Sequence, residues 1–305
     1  MLDYVEWFNK SICTNSATGV FKDYVLSLRD ILGWSSFIID YCAKDSSANI
    51  WSAFLHGASL MHLDGLGLGS GLSFDDVQNT RERAKLFLVD LIPKLQKEKS
   101  VVGFSDELCK IDENFICTKD VFGVHPFTIS RGLNTLPDKL NFKMTAPTTG
   151  LNLRRVIRAM QISKPILLEG SPGVGKTSLI SALAKASGYN LVRINLSEQT
   201  DITDLMGSDL PVVDSGSGTD GSKFSWCDGI FLKALKQGDW VLLDELNLAS
   251  QSVLEGLNSC FDHRAQVYVP ELNQSFRCPP SFRVFAAQNP LAQVCTSFFF
   301  GNCHE

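Results

Sequence analysis

Apolar side chains in the first hundred residues recur every three or four positions, which is the period of an amphipathic α-helix. Three such runs follow one another, and the first begins at Ser27, which together with Asp30 resembles a capping box. The recurring apolar positions are Ile31, Trp34, Ile38 and Tyr41 in the first run, Ile50, Phe54, Ala58 and Met61 in the second, and Phe87, Leu88, Leu91, Ile92 and Leu95 in the third. We therefore predict a small all-helical domain over residues 1 to about 100.

The helical period is lost between residues 101 and 139, which we interpret as a linker with short strands. Apolar residues cluster at Val121–Ile129 and again at Leu140–Met144. Within the helical part, residues 64–73 contain four glycines and predict a loop between the second and third helices.

Short, uninterrupted apolar runs alternate with helical segments from Ile166 onward. The predicted strands are Ile166–Glu169, Leu191–Asn195, Trp240–Leu243 and Phe282–Ala287, and the predicted helices are residues 175–187 and about 250–261. This alternation is typical of a parallel sheet covered by helices on both faces. We predict an α/β domain over residues 140–293, followed by a divergent tail at 294–305.

Two further pairs of short apolar segments interrupt this alternation. Leu210–Val213 and Lys223–Trp226 flank a stretch rich in Asp, Ser, Gly and Thr, and Gln266–Pro270 and Ser275–Cys278 flank a short polar stretch. Both pairs predict β-hairpins, because polar residues between two short strands favour a reversal of the chain.

The composition is that of a folded protein, since 44% of the 305 residues are hydrophobic and 20% are charged. The length favours two domains. A formal net charge of −5 provides no field that would attract a phosphate backbone, so we expect no direct DNA binding. Arg154, Arg155 and Arg158 form the one arginine cluster, and we interpret them as a solvated helix face.

Cysteine usage and the N-terminus indicate the compartment. An odd number of cysteines, nine, without a C-x-x-C pair argues against a secreted disulfide framework and against a zinc ribbon. Residues 1–10 lack the apolar region of a signal peptide, and no run reaches the ~18 apolar residues that a membrane span needs. We expect a soluble intracellular protein with no membrane partner.

Residues 170–177 satisfy the phosphate-loop pattern G-x-x-x-x-G-K-[ST] between an apolar strand and the start of a helix. The motif reads Gly170, Ser171, Pro172, Gly173, Val174, Gly175, Lys176 and Thr177, and Ser178 follows it. Its glycines let backbone N–H groups turn toward an anion, and the helix N-terminus adds partial positive charge. We predict nucleotide binding, with Lys176 at the β- and γ-phosphates and the Thr177 hydroxyl on Mg²⁺.

Polar side chains end two other predicted strands. Asp244 can reach the coordination shell of Mg²⁺, and Glu245 can polarise a water molecule in line with the γ-phosphate. The amide of Asn289 can hydrogen-bond that water or the γ-phosphate. We predict that Glu245, Asn289 and Lys176 are catalytic; the alternatives are a strand end that exits to solvent and an Asn-Pro turn.

The order of phosphate loop, Asp-Glu strand and amide strand resembles the core of AAA+ ATPases, in particular the dynein-related branch of ribosome assembly. Residues 165–177, 195–201, 244–249 and 288–291 carry the resemblance. It implies ATP and Mg²⁺ as cofactors, and a ring of AAA+ modules in the nucleolus and nucleoplasm. It also implies removal of assembly factors from pre-60S ribosomal particles, with adjacent AAA+ modules as partners.

The same resemblance implies that residues 1–100 are the lid of a preceding module. Residues 27–30 then resemble the start of the helix whose arginine, here Arg29, senses the γ-phosphate of a neighbour. The tail at 294–305 departs from the family pattern, in which an arginine finger, a fifth strand and a lid would follow. We therefore expect an incomplete core, Ile166–Glu169 as an exposed sheet edge, and a marginally stable chain that self-associates.

Two other functions stay open at this point. A truncated fragment could occupy the partners of a full-length motor without hydrolysing ATP, and intact Lys176 and Glu245 do not exclude this. A small-molecule kinase is disfavoured, because the acidic pair at 244–245 suits activation of water. Even as an ATPase, the chain alone is expected to be slow, since an arginine from an adjoining module is missing.

Overall fold

A computed structural model describes residues 1–14, 21, 24–44, 49–67, 74–95, 115–134, 144, 146–212, 223–261, 265–289 and 301–304. The chain forms two compact units. The first contains Met1–Ser130, Lys143–Ser171 and Pro290–Glu305, and the second contains Arg131–Phe142 and Pro172–Asn289. The domain boundaries expected near residues 100, 140 and 293 remain predictions. Among the described helices, none is both long and apolar enough to cross a membrane.

Helices open the first unit, as the apolar period predicted. They are α1 (Leu2–Phe8), α2 (Leu28–Lys44), α3 (Ile50–Ala58) and α4 (Phe74–Leu95), with π-helical segments at Asn9–Thr14 and Ser59–Leu63. Their core is aromatic, since Tyr4, Phe8 and Trp34 are all fully buried. The indole N–H of Trp34 donates to the carbonyl oxygen of Phe54 at 2.8 Å, so the polar atom of this buried ring has a partner. Residues 68–73 of the expected loop lie outside the described part.

The start of α2 shows the predicted interaction between Ser27 and Asp30. The backbone N–H and the hydroxyl of Ser27 both donate to Asp30 Oδ2, at 2.8 and 2.7 Å. This is the half of a capping box in which the residue at N3 accepts from the N-cap. The helix then buries Trp34 and Phe37, and the second of these was not among the predicted positions. Ile39, on the other side, is exposed.

A small antiparallel sheet follows in the first unit. Its strands β1 (Phe115–Cys117), β2 (Val121–Val124) and β3 (Phe127–Ser130) pair in chain order, so the short strands expected here are confirmed. The helix α5 (Pro147–Ala159) and the buried strand β4 (Ile166–Glu169) complete this part. Residues 140–143, where a further strand was expected, lie outside the described residues.

The interpretation of the arginines on α5 as a solvated face was wrong. Arg154 and Arg158 are only 7% and 5% exposed. Arg158 pairs with the buried carboxylate of Asp64, and Nε of Arg155 lies 3.5 Å from the other oxygen of that carboxylate. A buried guanidinium needs such an anion, because an unpaired charge is costly to remove from water. The anion lies 94 residues from Arg158 in sequence, and helical spacing cannot indicate a partner at that distance.

The last described strand overturns the expectation of an exposed edge at Ile166–Glu169. This strand, β12 (Gly301–His304), is parallel to β4, with Gly301 opposite Ile166 and His304 opposite Glu169. Since the pairing uses backbone groups, it does not require the tail to resemble a family strand. Residues 290–300, including the run of three phenylalanines, lie outside the described residues.

Parallel strands form the centre of the second unit, which confirms the predicted α/β class. β8 (Trp240–Asp244) lies between β11 (Arg283–Gln288) and β5 (Leu191–Asn195). Asn195 is opposite Asp244, so β5 and β8 end at the same level. Every residue of β8 is buried, which explains its uninterrupted apolar sequence.

Helices of the second unit are α6 (Lys176–Ser187), α7 (Ile202–Met206), α8 (Ile230–Gln237) and α9 (Gln251–Phe261). The two helices expected from the sequence are therefore present. Both α6 and α8 end at a glycine in the left-handed conformation, Gly188 with φ 77° and Gly238 with φ 74°. Glycine takes this conformation without strain and so ends a helix sharply before the next strand.

Both predicted hairpins are present in the second unit. β6 (Gly207–Val212) pairs with β7 (Lys223–Asp228), and β9 (Gln266–Val269) pairs with β10 (Gln274–Arg277), in each case antiparallel. Residues 213–222, at the tip of the first hairpin, lie outside the described part.

Candidate functional site

The phosphate-loop motif uses a left-handed backbone at two of its glycines. Gly173 has a φ of 83° and Gly175 a φ of 92°, torsions that L-residues rarely adopt. A Cβ atom added at either position would meet no atom of the described residues within 4 Å. Close packing against the described residues is therefore not what requires glycine at these two positions; the backbone torsions are. Residues 172–177 begin the second unit, whereas Gly170 and Ser171 end a segment of the first.

The helix α6 begins directly after this loop. Its first turn carries Lys176, Thr177 and Ser178, while Leu179 and Ile180 are buried and anchor the helix in the core. The first N–H groups of a helix have no partner within it and carry partial positive charge. The backbone at this point is therefore suited to bind phosphate.

Thr177 and Asp244, the two residues predicted to hold a metal, are hydrogen-bonded to each other. The Thr177 hydroxyl donates to Asp244 Oδ2 at 3.1 Å. The other carboxylate oxygen, Oδ1, accepts the backbone N–H of Glu245 at 3.2 Å. Asp244 is 7% exposed, so its charge lies in a site from which water is largely excluded.

This donor set fits Mg²⁺ together with a nucleotide. Hydroxyl and carboxylate oxygens are the ligands that Mg²⁺ prefers, and the ion commonly completes its shell with water and substrate phosphates. Within the described ranges, no group of three or more His, Cys, Asp and Glu residues could hold a metal ion. Thr177 and Asp244 supply two oxygen ligands, so a cation held by them would complete its shell with water or with phosphate oxygens at the loop.

The three residues predicted to be catalytic form one hydrogen-bonded chain. Lys176 Nζ donates to Asn289 Oδ1, and Asn289 Nδ2 donates to Glu245 Oε2, both at 3.2 Å. Asn289 follows the end of β11, Glu245 follows β8, and Lys176 begins α6. The parallel order of the strands brings these ends together, as expected at the carboxyl edge of an α/β sheet.

The backbone of Glu245 is left-handed, with φ 56° and ψ 46°. For a residue with a Cβ, such a conformation costs about 1–3 kcal/mol. It persists where the surrounding structure enforces it, and it is frequent at active sites. Here it turns the chain from β8 into a short 3₁₀ helix, Leu246–Leu248, whose first residue is buried. The turn leaves the carboxylate of Glu245 directed to Asn289.

One charged residue of the site was missed by the sequence reasoning. Arg193, on β5, donates from Nε and from a terminal nitrogen to Asp244 Oδ2, at 3.0 and 2.5 Å. The sequence does contain an indication of this residue: Arg193 and Asn195 are two positions apart on the correctly predicted strand β5, so they share one face of it. Using that indication required the knowledge that β5 lies next to β8, which the sequence alone did not provide.

Comparisons with known proteins agree with this geometry. Residues 165–297 match the AAA domain family of the dynein-related subfamily, and residues 1–64 match the midasin AAA+ ATPase lid domain family. Midasin of Dictyostelium discoideum is 52% identical over 277 residues, which are 88% of this chain and 5% of that protein. Midasin of Giardia intestinalis is 38% identical over 283 residues, 88% of this chain and 6% of that protein.

A more distant relative matches a shorter stretch of the chain. An uncharacterized protein of Staphylococcus saprophyticus is 33% identical over 131 residues, 43% of this chain and 48% of that protein. Its name carries no information on function.

Fold, site and family matches indicate one class of protein. The α/β part of the chain matches the dynein-related subfamily of AAA domains, and residues 1–64 match a lid domain. Over most of its length the chain is similar to a piece of midasin, as the sequence resemblance indicated. It spans only 5–6% of the length of these relatives.

Proposed function

We propose that the chain binds ATP with Mg²⁺ and hydrolyses it as part of a midasin-like AAA+ remodelling motor. The observation that supports this best is the hydrogen-bonded chain from Lys176 through Asn289 to Glu245. If Lys176 and Glu245 served only as a structural salt bridge, they would contact each other directly, without the neutral amide of Asn289 between them. An amide in this position suits a site that responds to a γ-phosphate, because the amide can exchange one hydrogen-bond partner for another without a change of charge.

Binding would depend on the loop and on the start of α6. The N–H groups within residues 172–178 and the ammonium group of Lys176 would hold the phosphates. Thr177 and Asp244 would hold Mg²⁺, which neutralises phosphate charge when it is bound. Since the Thr177 hydroxyl donates its hydrogen bond to Asp244, the lone pairs of that hydroxyl stay available to a cation.

Hydrolysis would depend on Glu245 and Asn289. The carboxylate of Glu245 would accept a proton from the attacking water while the oxygen of that water bonds to the γ-phosphorus and ADP departs. Asn289 would orient the water or the γ-phosphate through its amide. Its present contacts to Lys176 and Glu245 place it between the group that binds phosphate and the group that takes the proton.

The wider role rests on the midasin relatives. By that similarity the motor would release assembly factors from pre-60S particles in the nucleolus and nucleoplasm, and its partners would include adjacent AAA+ modules. Arg29, exposed on the first turn of α2, would sense the γ-phosphate of a neighbouring module. An arginine supplied by an adjoining module commonly accelerates such hydrolysis by about 10³–10⁵, so the isolated chain should be slow.

Calorimetric titration of the 305-residue chain with ATP and Mg²⁺ tests the proposal. Lys176→Ala should weaken binding by roughly 1.5–3 kcal/mol, the contribution of a charge-assisted contact. Lys185→Ala is the matched control, because Lys185 lies in the last turn of the same helix and is exposed. Equal affinity of the parent and the Lys176 variant would count against the phosphate loop.

Phosphate release measured on the same samples separates an ATPase from a nonhydrolytic fragment. We expect slow release that depends on Mg²⁺. Tight binding with no release above the uncatalysed background would favour the second function, in which the chain occupies partners of a full-length motor.

A further inference from the structure

We infer that Arg193 balances the charge of the Asp244 carboxylate in the metal-free site and competes with the divalent cation for that carboxylate. The inference rests on the proposed nucleotide site and adds to it a residue that sets the metal affinity. It makes Arg193 a determinant of the metal requirement and gives it no part in the chemical step.

The first support is the number of donors on Asp244. Oδ2 accepts from Thr177 and from two nitrogens of Arg193, and Oδ1 accepts from the backbone of Glu245. Each carboxylate oxygen has about two lone-pair positions, and three donor atoms already share Oδ2. A cation that takes Oδ2, directly or through a water ligand, must therefore displace a donor from it.

The second support is the difference in exposure between the two partners. The side chain of Arg193 is 58% exposed, whereas that of Asp244 is 9% exposed. The guanidinium can move into water at little cost, but the carboxylate cannot. Arg193 is thus the donor that a cation can displace, while Thr177 and the backbone of Glu245 are fixed by α6 and by the turn after β8.

The third support is charge. The guanidinium of Arg193 brings a positive charge to this oxygen. Near a divalent cation that charge is repulsive, and because Arg193 is 58% exposed, water and salt screen the repulsion in part. Arg193 therefore stabilises the metal-free site and lowers the affinity of the site for a divalent cation.

The strand register shows how an arginine at position 193 can reach the carboxylate of Asp244. Asn195 is the residue opposite Asp244, and Arg193 is opposite Leu242, two positions earlier on the same face of β5. The side chain must extend along the strand to reach the carboxylate. Of the basic residues, arginine combines that length with a planar group that places two N–H donors on one oxygen.

Binding of Mn²⁺ in the presence of ADP tests the inference without hydrolysis. Mn²⁺ is titrated into the 305-residue chain with ADP, and the free ion is measured by its EPR signal, with ADP alone as the blank. Arg193→Gln, which keeps polar length but loses the charge, should lower the Mn²⁺ dissociation constant about fivefold, the scale of one partly exposed charge pair. Arg193→Lys keeps the charge but loses the two-donor contact, so its Mn²⁺ dissociation constant should lie between those of the parent and of Arg193→Gln.

Arg277→Gln is the matched control, because Arg277 is an exposed arginine on β10 and the substitution changes the net charge equally. Its Mn²⁺ affinity should equal that of the parent. Thermal unfolding provides a second readout. In EDTA, Arg193→Gln should melt at a lower temperature than the parent. Addition of Mn²⁺ with ADP should raise the melting temperature of the variant by more than it raises that of the parent.

The outcomes distinguish the inference from the function on which it rests. If no variant and no parent chain binds ADP or Mn²⁺, the proposed nucleotide site is wrong and the inference falls with it. If the parent binds both but Arg193→Gln binds Mn²⁺ equally or more weakly, the nucleotide site stands, and Arg193 merely holds Asp244 in position.

Discussion

The side-chain amide of Asn289 donates a hydrogen bond to Glu245 Oε2 at 3.2 Å. The two residues follow different strands, β11 and β8, and both strands pair in parallel within the second unit. The acceptor is the carboxylate that we propose as the general base. An amide in this position holds that carboxylate in place and must give up the contact if it turns to a γ-phosphate, so sensing and proton transfer would share one hydrogen bond.

Replacing the proposed base separates hydrolysis from binding. Glu245→Gln keeps an oxygen that can accept from Asn289 but removes the group that takes a proton from water. Hydrolysis should fall by about 10²–10⁴, the range typical of general-base catalysis, while the dissociation constant for ATP stays within about twofold. Single-turnover phosphate release and calorimetry on one preparation measure the two quantities. A variant that hydrolyses at the parental rate would eliminate Glu245 as the base.

Asn289 should matter for turnover more than for affinity. Asn289→Ala removes the donor to Glu245 and the acceptor of Lys176, and it leaves the loop and the Thr177–Asp244 pair intact. We expect a loss of about tenfold or more in single-turnover rate, since one well-placed donor can contribute up to 10²–10³. Affinity for ATP should change less than the rate. A loss confined to affinity would identify Asn289 as a binding residue only.

The buried carboxylate of the first unit should be important for stability. Asp64→Ala leaves Arg158 buried without its anion, and removal of one partner of a buried pair costs about 3–5 kcal/mol. Urea unfolding monitored by tryptophan fluorescence measures the loss, because Trp34 lies in the core of this unit, while Trp240 reports on the second unit. Glu6→Ala serves as the control, since Glu6 and Lys10 form an exposed pair. Equal unfolding midpoints for both variants would contradict the buried pair.

Stability of the first unit should decrease in mild acid because of His62. Burial lowers the pKa of His62 from its ordinary 6.5 to about 4. Between these two values the unfolded chain binds the proton and the folded chain does not, so the free energy of unfolding falls as the pH falls. The slope for one such group is about 1.4 kcal/mol per pH unit. Burial, followed by the charge of Arg158, also lowers the pKa of His56 and adds to the effect.

Urea titrations between about pH 7 and pH 5 measure this slope, and that range lies above most carboxylate titration. His62→Gln should flatten the dependence, because glutamine keeps a polar group near the hydroxyl of Tyr4 but does not titrate. An unchanged slope in this variant would show that His62 is not the group responsible.

Features that depend on neighbouring residues in sequence could be predicted well. The apolar run Trp240–Leu243 and the motif at 170–177 each determine their own local structure, and the structure has β8 and the start of α6 where they were expected. Both hairpins follow from local patterns in the same way. The approach of Asp244, Glu245 and Asn289 could be predicted as well, because parallel strands bring their carboxyl ends to one edge.

Features that depend on distant partners could not be predicted. The helical spacing assigns Arg158 to a polar face until its partner Asp64 is known, and Arg193 has no visible role until β5 is placed beside β8. The strand β12 has no pattern of its own that would indicate it. In each case the deciding interaction joins segments that are far apart in the chain, and a periodicity argument has no access to such interactions.

The open space in front of Gly173 and Gly175 has a consequence for what the loop tolerates. Both positions would accommodate a methyl group by volume, yet their torsions lie in the half of conformational space that L-residues avoid. At these two positions it is therefore the chirality of a substituted residue, and not the size of its side chain, that makes a substitution unfavourable. Because glycine is the one achiral residue among the twenty, enlarging the surroundings of either position would not make a substitution acceptable, whereas a D-amino acid would match the backbone that both positions already have.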